Sequence, residues 1–265
     1  MLGAGTAAVT KDIQLLSTTN ITSTGSQTYN IPSGTQYLDI EMWGGGGGGG
    51  YGKVSGGRSG TAFQNGAGGG GGGYVKYRYY ATDTGISDPE TTDKLYFTVG
   101  EGGQGWLPNV SGTKAENGED TTLDTHKRES SEGVFTLVTF DTVIAGRGYG
   151  GTNAFKVTGG SDSDGGIGSV GTDDDGGQGL SVTVANGSDG EVRDNQSASS
   201  MNGNAGGNAG GSGGNGGTAA TSSGTLAGAG AQPGGGGGGG AGIDVGNQRN
   251  GADGGHGQVT IKAYG

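Results

Sequence analysis

The sequence contains no cysteine, only four prolines and no long apolar run. Without cysteine, neither a disulfide framework nor a thiolate metal site can form. The scarcity of proline and the lack of a strict Gly-X-Y repeat exclude a collagen triple helix. No segment reaches the roughly 20 apolar residues of a membrane-spanning helix, and the first residues lack the basic and apolar regions of a secretory signal. We therefore expect a soluble protein that is made in a cytoplasm.

Positive charge and catalytic motifs are also scarce. The chain has 14 Lys and Arg residues against 25 Asp and Glu residues, a net charge of −11, which excludes non-specific nucleic-acid binding as its main role. We find no Walker loop, nucleophile elbow or paired-carboxylate motif. The two histidines, His126 and His256, have no adjacent ligand set, and we expect His256 to be a local hydrogen-bonding residue. The sequence thus predicts no enzyme activity and no cofactor.

Glycine is what the chain has in excess, with 71 of 265 residues. Two runs of seven occupy residues 44–50 and 234–240, and a run of six occupies residues 68–73. Glycine loses more backbone entropy on folding than any other residue, so disorder of the whole chain is one alternative. The clear strand patterns at both ends and in the middle argue against it.

Alternation of apolar and polar residues predicts strands next to these runs. It is clearest in residues 37–43, 74–80 and 258–264, as half-buried strands require. Shorter strands are predicted at residues 29–31, 95–99, 134–140, 142–144 and 180–184. No helical periodicity appears, so the fold class is all-β. We assign residues 26–265 to one glycine-rich domain and residues 1–25 to a docking arm or leader, with a frayed terminus as the alternative.

A three-residue period marks residues 203–218, where Gly207, Gly210, Gly213 and Gly216 are evenly spaced. Three residues per turn is typical of a polyproline-II backbone, and a glycine edge without Cβ atoms lets other backbones approach. We predict a small β-sheet base with stacked polyproline-II-type (polyglycine II) helices and long loops. Flexible linkers are the alternative, but these runs adjoin strands directly.

Several sequence segments resemble those of a known family in the order in which they occur. The segments are residues 29–34, residues 38–44 with the glycine run that follows, residues 68–77, residues 95–103, and the run at 234–240 followed by residues 250–261. This order resembles the glycine-rich domain of bacteriophage tail fibre and tail-tip adhesin proteins, over roughly residues 26–265.

The resemblance implies a structural protein of the virion that recognises the host cell surface through loops on a polyglycine scaffold. Because only about 25 residues precede the domain, we expect the chain to dock onto another virion protein, such as a fibre shaft, tail or capsid. The expected receptor is a bacterial surface glycan or an outer-membrane protein. A trimer would suit a trimeric fibre, and a monomer capping a trimer fits as well.

Two other functions stay open at this point. One is a purely architectural virion adaptor or decoration protein without a receptor role. The other is an ice-binding protein, because polyglycine helices can present flat faces, although aromatic strands and irregular loops argue against such a repeat. Loss of phage adsorption after mutation of exposed aromatic loop residues would separate the first from a receptor binder, and thermal hysteresis would test the second.

Receptor-binding residues are expected in loops between the glycine segments, at residues 53–63, 104–110, 146–155 and 243–249. Aromatic rings flanked by Asn, Asp and Arg suit sugars, since a ring stacks on the apolar sugar face while polar groups bind its hydroxyls. The candidates are Arg58, Phe63, Trp106, Arg147, Tyr149 and Arg249. Trp106 could equally be a packed cap, and Trp43, at a strand end, is expected in the core.

One acidic, glycine-punctuated stretch is a weak calcium candidate, because Ca²⁺ prefers oxygen ligands. Its members are Asp162, Asp164, Asp173, Asp174 and Asp175. The calcium-binding nonapeptide pattern does not recur at its period here, so we favour a solvated acidic loop.

Overall fold

The computed structural model describes residues 12–57, 60–64, 66–80, 92–106, 114–129, 135–138, 143–151, 183–190, 204–221, 225–241 and 250–265. Regular structure in these ranges is entirely β-strand, which confirms the all-β class. The described part includes no helix of the length and apolarity needed to cross a membrane.

Twelve strands occupy the described ranges. They are β1 (Leu15–Ile21), β2 (Gly25–Asn30), β3 (Tyr37–Trp43), β4 (Lys53–Gly57), β5 (Gly60–Gln64), β6 (Tyr74–Tyr80), β7 (Thr92–Val99), β8 (Thr121–Glu129), β9 (Phe135–Val138), β10 (Val143–Ala145), β11 (Thr183–Ala185) and β12 (Gln258–Tyr264). One sheet has the order β1-β12-β3-β6-β11, a second has the order β10-β8-β7-β2 with β9 beside β8, and β4 and β5 form a hairpin. All the pairings are antiparallel.

The two sheets pack face to face around one apolar core. The first sheet contributes alternate residues of β3, β6 and β12, and the second contributes Leu95, Phe97 and Val99 of β7 with Leu123 of β8. These four side chains have no exposed surface. Burying one aliphatic or aromatic side chain stabilises a fold by about 1.5–3 kcal/mol, so this sandwich is held by an ordinary side-chain core.

The strands β3, β6 and β12 lie side by side and have the bounds that the sequence predicts. Their alternation is the reason, because a strand with one face in the core and one outside must alternate. Ile40 lies opposite both Tyr77 and Ile261 on the core face. On the other face the Arg78 guanidinium forms two hydrogen bonds to the Asp39 carboxylate, of 2.6 and 2.8 Å.

Three strand regions depart from the prediction. The strand β1 lies within the predicted arm and pairs with β12, where Thr19 faces Ile261. The strand β8 went unpredicted, because it is mostly polar and pairs with β7 through its backbone. The hairpin of β4 and β5 occupies most of residues 53–63, which were expected to form a loop.

Glycine segments continue the strands at one end of the sandwich. Residues 44–50 follow β3, residues 66–73 precede β6, and the other segments that adjoin strands are residues 100–106, 114–120, 146–151, 186–190 and 250–257. Residues 204–221 and 225–241 extend the same arrangement without adjoining a strand. We call these segments together the glycine lattice, because backbone hydrogen bonds join each to its neighbours.

Candidate functional site: the glycine lattice, its distal end and one flank

The first glycine run, residues 44–50, lies fully buried at the centre of the lattice. Its successive N–H groups donate to three neighbouring segments in turn, so that every third N–H group meets the same segment. The donors and acceptors are Gly44, Gly47 and Gly50 to Gly73, Gly70 and Ala67; Gly45 and Gly48 to Glu119 and Glu116; and Gly46 and Gly49 to Gly255 and Ala252. These bonds measure 2.8–3.0 Å. Every partner segment descends by three residues as the run ascends by three, so all three neighbours are antiparallel to it.

The carbonyls of the same run accept from three further segments. The donors are Gly148 and Gly151 to Gly45 and Gly48, Gly103 and Trp106 to Gly46 and Gly49, and Gly237 and Gly240 to Gly47 and Gly50. Here the residue numbers of each neighbour rise by three as those of the run rise by three, so these neighbours are parallel to it. Six neighbouring segments surround the run, and all its N–H groups and the carbonyls of residues 45–50 are bonded to backbone atoms.

The second run of seven glycines is enclosed in the same way. Its N–H groups donate to residues 44–50, 204–207 and 228–231, with one further bond from Gly234 to the carbonyl of His256. Its carbonyls accept from residues 66–72, 217–220 and 252–255. The two runs also bond to each other, since Gly237 and Gly240 donate to Gly47 and Gly50 at 2.8 Å.

This packing leaves no room for a Cβ atom. A Cβ added at Gly47 would lie 2.1 Å from the carbonyl oxygen of Tyr149, and one added at Gly49 would lie 2.0 Å from that of Gly238. Backbone atoms in a close-packed interior cannot move aside as a flexible side chain can. Glycine is therefore required at these positions by contact, even where its backbone angles are ordinary.

Trp43 joins the lattice to the sandwich. It is 4% exposed, its indole N–H donates to the carbonyl of Gly210 at 3.1 Å, and its ring lies 5.1 Å from that of Tyr74. The expectation that Trp43 belongs to the core is confirmed. Burial and the carboxylate of Glu41 raise the pKa of the Tyr74 hydroxyl to about 12.

The end of the lattice away from the sandwich, which we call the distal end, gathers the ends of many segments. Trp106 bonds to Gly49 and Gly240 to Gly50, so both lie beside the last residues of the first run. Gly151, Ala220, Asn204 and Ala252 lie at the same level, as their bonds to Gly48, Gly239 and Gly49 show. The described segments that flank residues 107–113, 222–224 and 242–249 therefore all end here.

An aromatic cluster covers part of the distal end. Tyr51, Trp106 and Ala115 pack together, with 6%, 8% and 2% of their surfaces exposed. The arrangement of Trp106 is that of the packed cap, one of the two roles left open for it. A role in receptor binding stays a prediction for this residue.

One flank of the lattice carries exposed and partly exposed side chains in an ordered array, which we call the flank array: Lys114, Asn117, Asp120, Arg147 and Tyr149. Asp120 accepts a hydrogen bond from the backbone N–H of Arg147 (2.8 Å) and pairs with its guanidinium (3.4 Å). Asn117 accepts from the N–H of Gly150 (3.1 Å) and from Lys114 (3.4 Å). The Lys114 ammonium lies 6.0 Å from the centre of the Tyr149 ring, within cation–π range.

A second edge uses side-chain acceptors in the same manner. Gly102 donates to Nδ1 of His256 (3.0 Å), and Gly105 donates to the carboxylate of Asp253 (2.7 Å). Donors and acceptors are again three residues apart and antiparallel. The expectation that His256 is a local hydrogen-bonding residue is confirmed, and the acceptor role requires its Nδ1 to be unprotonated.

The structure separates the predicted receptor residues. Arg147 and Tyr149 lie together on the flank, Trp106 lies at the distal end, and Phe63 belongs to β5. Arg58 and Arg249 lie outside the described residues, as do Asp162, Asp164, Asp173, Asp174 and Asp175 of the calcium candidate. No group of three or more His, Asp or Glu side chains suited to a metal ion occurs within the described ranges.

Sequence reasoning missed Lys114, Asn117 and Asp120. Their three-residue spacing is the signal that could have found them, because each lattice segment meets the same neighbour at every third residue. The contacts to Arg147 and Gly150 could not have been inferred, since they join segments about thirty residues apart in the chain.

A family model described as a glycine-rich domain matches residues 21–264 of this chain. The match spans the glycine lattice and all the described strands except β1, of which it includes only Ile21. Comparison with curated proteins finds no match.

Proposed function

Since the chain belongs to the glycine-rich domain family, we propose that it is a structural protein of a bacteriophage virion, part of a fibre or tail tip, that recognises the host cell surface. It acts by binding, without a catalytic cycle. Its partners are other virion proteins on one side and a bacterial surface glycan or outer-membrane protein on the other.

The segments of the lattice are polyglycine II helices in this proposal. The support is the three-residue rotation of partners along residues 44–50, in which each side of the run meets its own neighbour. A helix with three residues per turn has this symmetry, whereas an extended strand would present its N–H groups to two sides only. Glycine backbone angles near φ −75° and ψ +145° in an experimental structure would test the assignment.

The observation that carries the proposed function is the common distal end. Hydrogen-bonded segments from different parts of the chain end there together. Binding residues in proteins concentrate on loops held by a rigid scaffold. Loss of mobility on binding costs free energy, so a rigid lattice that fixes the loop ends favours recognition.

The opposite end of the molecule has the properties of an attachment end. Ile13, Leu15 and Leu16 are 51%, 54% and 44% exposed, and they lie at the start of the edge strand β1 beside Tyr264. The strand β1 carries no charged residue or proline, the usual protection of a sheet edge. Docking of another virion protein here would point the distal end toward the cell.

Binding of the fluorescently labelled protein to a panel of bacteria, followed by competition against phage adsorption, tests the proposal. Strain-selective binding that blocks adsorption is the expected result. A folded protein that binds no strain yet associates with purified virions would instead establish an architectural adaptor. Replacing Leu15 and Leu16 by serine should abolish association with virions and leave cell binding unchanged.

A further inference from the structure

We propose that the flank array binds a neutral sugar, with Tyr149 and Arg147 as contact residues and with Asp120, Asn117 and Lys114 as the residues that position them. This inference rests on the proposed function and names the ligand class of one of its sites. It places the site on the side of the lattice, apart from the distal end.

The backbone beneath the two contact residues is fixed on every side. Gly148, between them, donates to Gly45 of the central run at 2.8 Å. The carbonyl of Tyr149 accepts from Gly70 at 2.8 Å, so the residue is anchored inward while 42% of its surface is exposed outward. An aromatic ring on such a backbone presents a flat apolar surface, and binding to it carries no further cost of ordering the backbone.

The positioning residues act from the neighbouring segment. Asn117 and Asp120, three residues apart, face Gly150 and Arg147 in antiparallel order, and the Lys114 ammonium lies over the Tyr149 ring. Asp120 holds both the backbone and the guanidinium of Arg147. Since a guanidinium has five N–H donors, this pairing leaves donors for sugar hydroxyls while fixing their direction.

The charges of this flank favour a neutral ligand over an acidic one. The cations Lys114 and Arg147 are each engaged by a neighbouring side chain. Both cations are therefore already engaged, and an anionic sugar would have to displace Asp120 from Arg147, whereas hydroxyls can use the remaining guanidinium donors and the Asp120 carboxylate as an acceptor.

Titration of the full chain with simple methyl glycosides, followed by NMR, tests the site without requiring the natural receptor. The probes are methyl glucoside, methyl galactoside and methyl mannoside, with methyl glucuronide as the acidic comparison. We expect at least one neutral glycoside to shift the signals of Arg147, Tyr149 and Gly150 selectively. No selective shift with any neutral glycoside, or a shift with the glucuronide alone, would overturn the proposal.

Variants distinguish the residues that contact the sugar from those that position the contact residues. We expect Tyr149→Ala to weaken glycoside binding about tenfold, as the loss of one aromatic stacking contact implies, and Tyr149→Phe to stay near wild type. In Asp120→Asn the amide oxygen can still accept from the Arg147 N–H, so hydrogen-exchange protection of that amide should persist while binding weakens several-fold. Unchanged binding by Asp120→Asn would refute its positioning role.

A matched control and a second assay keep this inference distinct from the proposed function. Leu226→Ala alters an exposed side chain (67% exposed) elsewhere on the lattice and should leave glycoside binding unchanged. If the wild-type protein binds bacteria and Tyr149→Ala binds them equally, the flank inference fails while the proposed function stands. If glycosides bind the flank but no bacterium is recognised, the flank inference stands while the proposed function fails.

Discussion

The sandwich and the glycine lattice both have a buried, close-packed interior, but side chains fill the first and backbone fills the second. In the sandwich, side chains such as Ile40 and Phe97 fill the interior and the backbone bonds form within two sheets. In the lattice, the interior is backbone alone, and the bonds of residues 44–50 extend in all directions. One region draws its cohesion from apolar burial, whereas the other depends on hydrogen bonds and contact between peptide groups.

The comparison teaches that the two interiors tolerate change differently. A side-chain core can be repacked, because hydrophobic residues of similar volume replace one another at small cost. A backbone core offers no such exchange, because every side chain is larger than that of glycine. Four predictions follow the contrast from its largest expected effect to its smallest.

Gly47→Ala should cause the largest loss. Its Cβ would lie 2.1 Å from a backbone oxygen. Overpacking a close-packed interior typically costs about 1–3 kcal/mol and occasionally more. Chemical denaturation measures the change in unfolding free energy. Gly228→Ala is the control, because its Cβ would lie 2.6 Å from the Thr218 hydroxyl, which can rotate, and no closer than 3.0 Å to a backbone atom, the Thr218 nitrogen. Equal losses in the two variants would contradict a requirement for glycine by backbone contact.

Ile40→Val, in the sandwich, should cost only about 1 kcal/mol, the usual effect of removing one buried methylene group. Like Gly47→Ala it changes one carbon atom at a fully buried site, so the pair compares the two interiors directly. Thermal or denaturant unfolding gives the value. A loss as large as that of Gly47→Ala would show that the sandwich is no more tolerant than the lattice.

The strands differ in how far the sequence predicts them, and the physical reason is the source of their stability. The strands β3, β6 and β12 are predictable because their side chains alternate across a buried face. The strand β8 has a single fully buried apolar side chain, Leu123, among its described ones, and it forms because β7 offers backbone partners. Such pairing leaves no local signal.

The sequence predicted that the glycine segments pack closely together, but it predicted only some residues of the candidate site. The three-residue glycine period in residues 203–218 indicated closely packed segments. Which segments are neighbours could not be inferred, because glycines carry no side chains that distinguish one run from another. For the same reason Arg147 and Tyr149 could be proposed, but their neighbours Asp120 and Lys114 could not.

Asn117→Ala should cost less than Ile40→Val, about 0.5–1 kcal/mol, since it removes the partly buried hydrogen bond from Gly150 and the exposed one from Lys114 at the lattice edge. The Gly150 N–H, which donates to Asn117, should exchange with solvent faster in the variant. Asn117→Asp keeps an acceptor and should preserve the protection of that amide. Unchanged exchange at Gly150 in the alanine variant would show that the side chain contributes nothing to the edge.

The last effect is absent at neutral pH and should appear only in alkali, at the junction of the two regions. The pKa of Tyr74 is raised from 10.0 to about 12, so the protonated hydroxyl favours the folded state fully below pH 10. That contribution is lost as the pH rises from 10 to about 12. Tyr74→Phe should therefore remove part of the decline in stability over this interval, measured against wild type at each pH. Parallel curves for the two proteins would contradict the shift.

Hydrogen–deuterium exchange of the amides of residues 44–50, read by NMR with labelled glycine, tests the central claim most directly. If a backbone core holds the lattice, these amides are bonded and buried, and they should exchange as slowly as those of β3 in the sandwich. Exchange near the rate of an unfolded chain, alongside protected β3 amides, would show that the run is a flexible linker and would contradict the account.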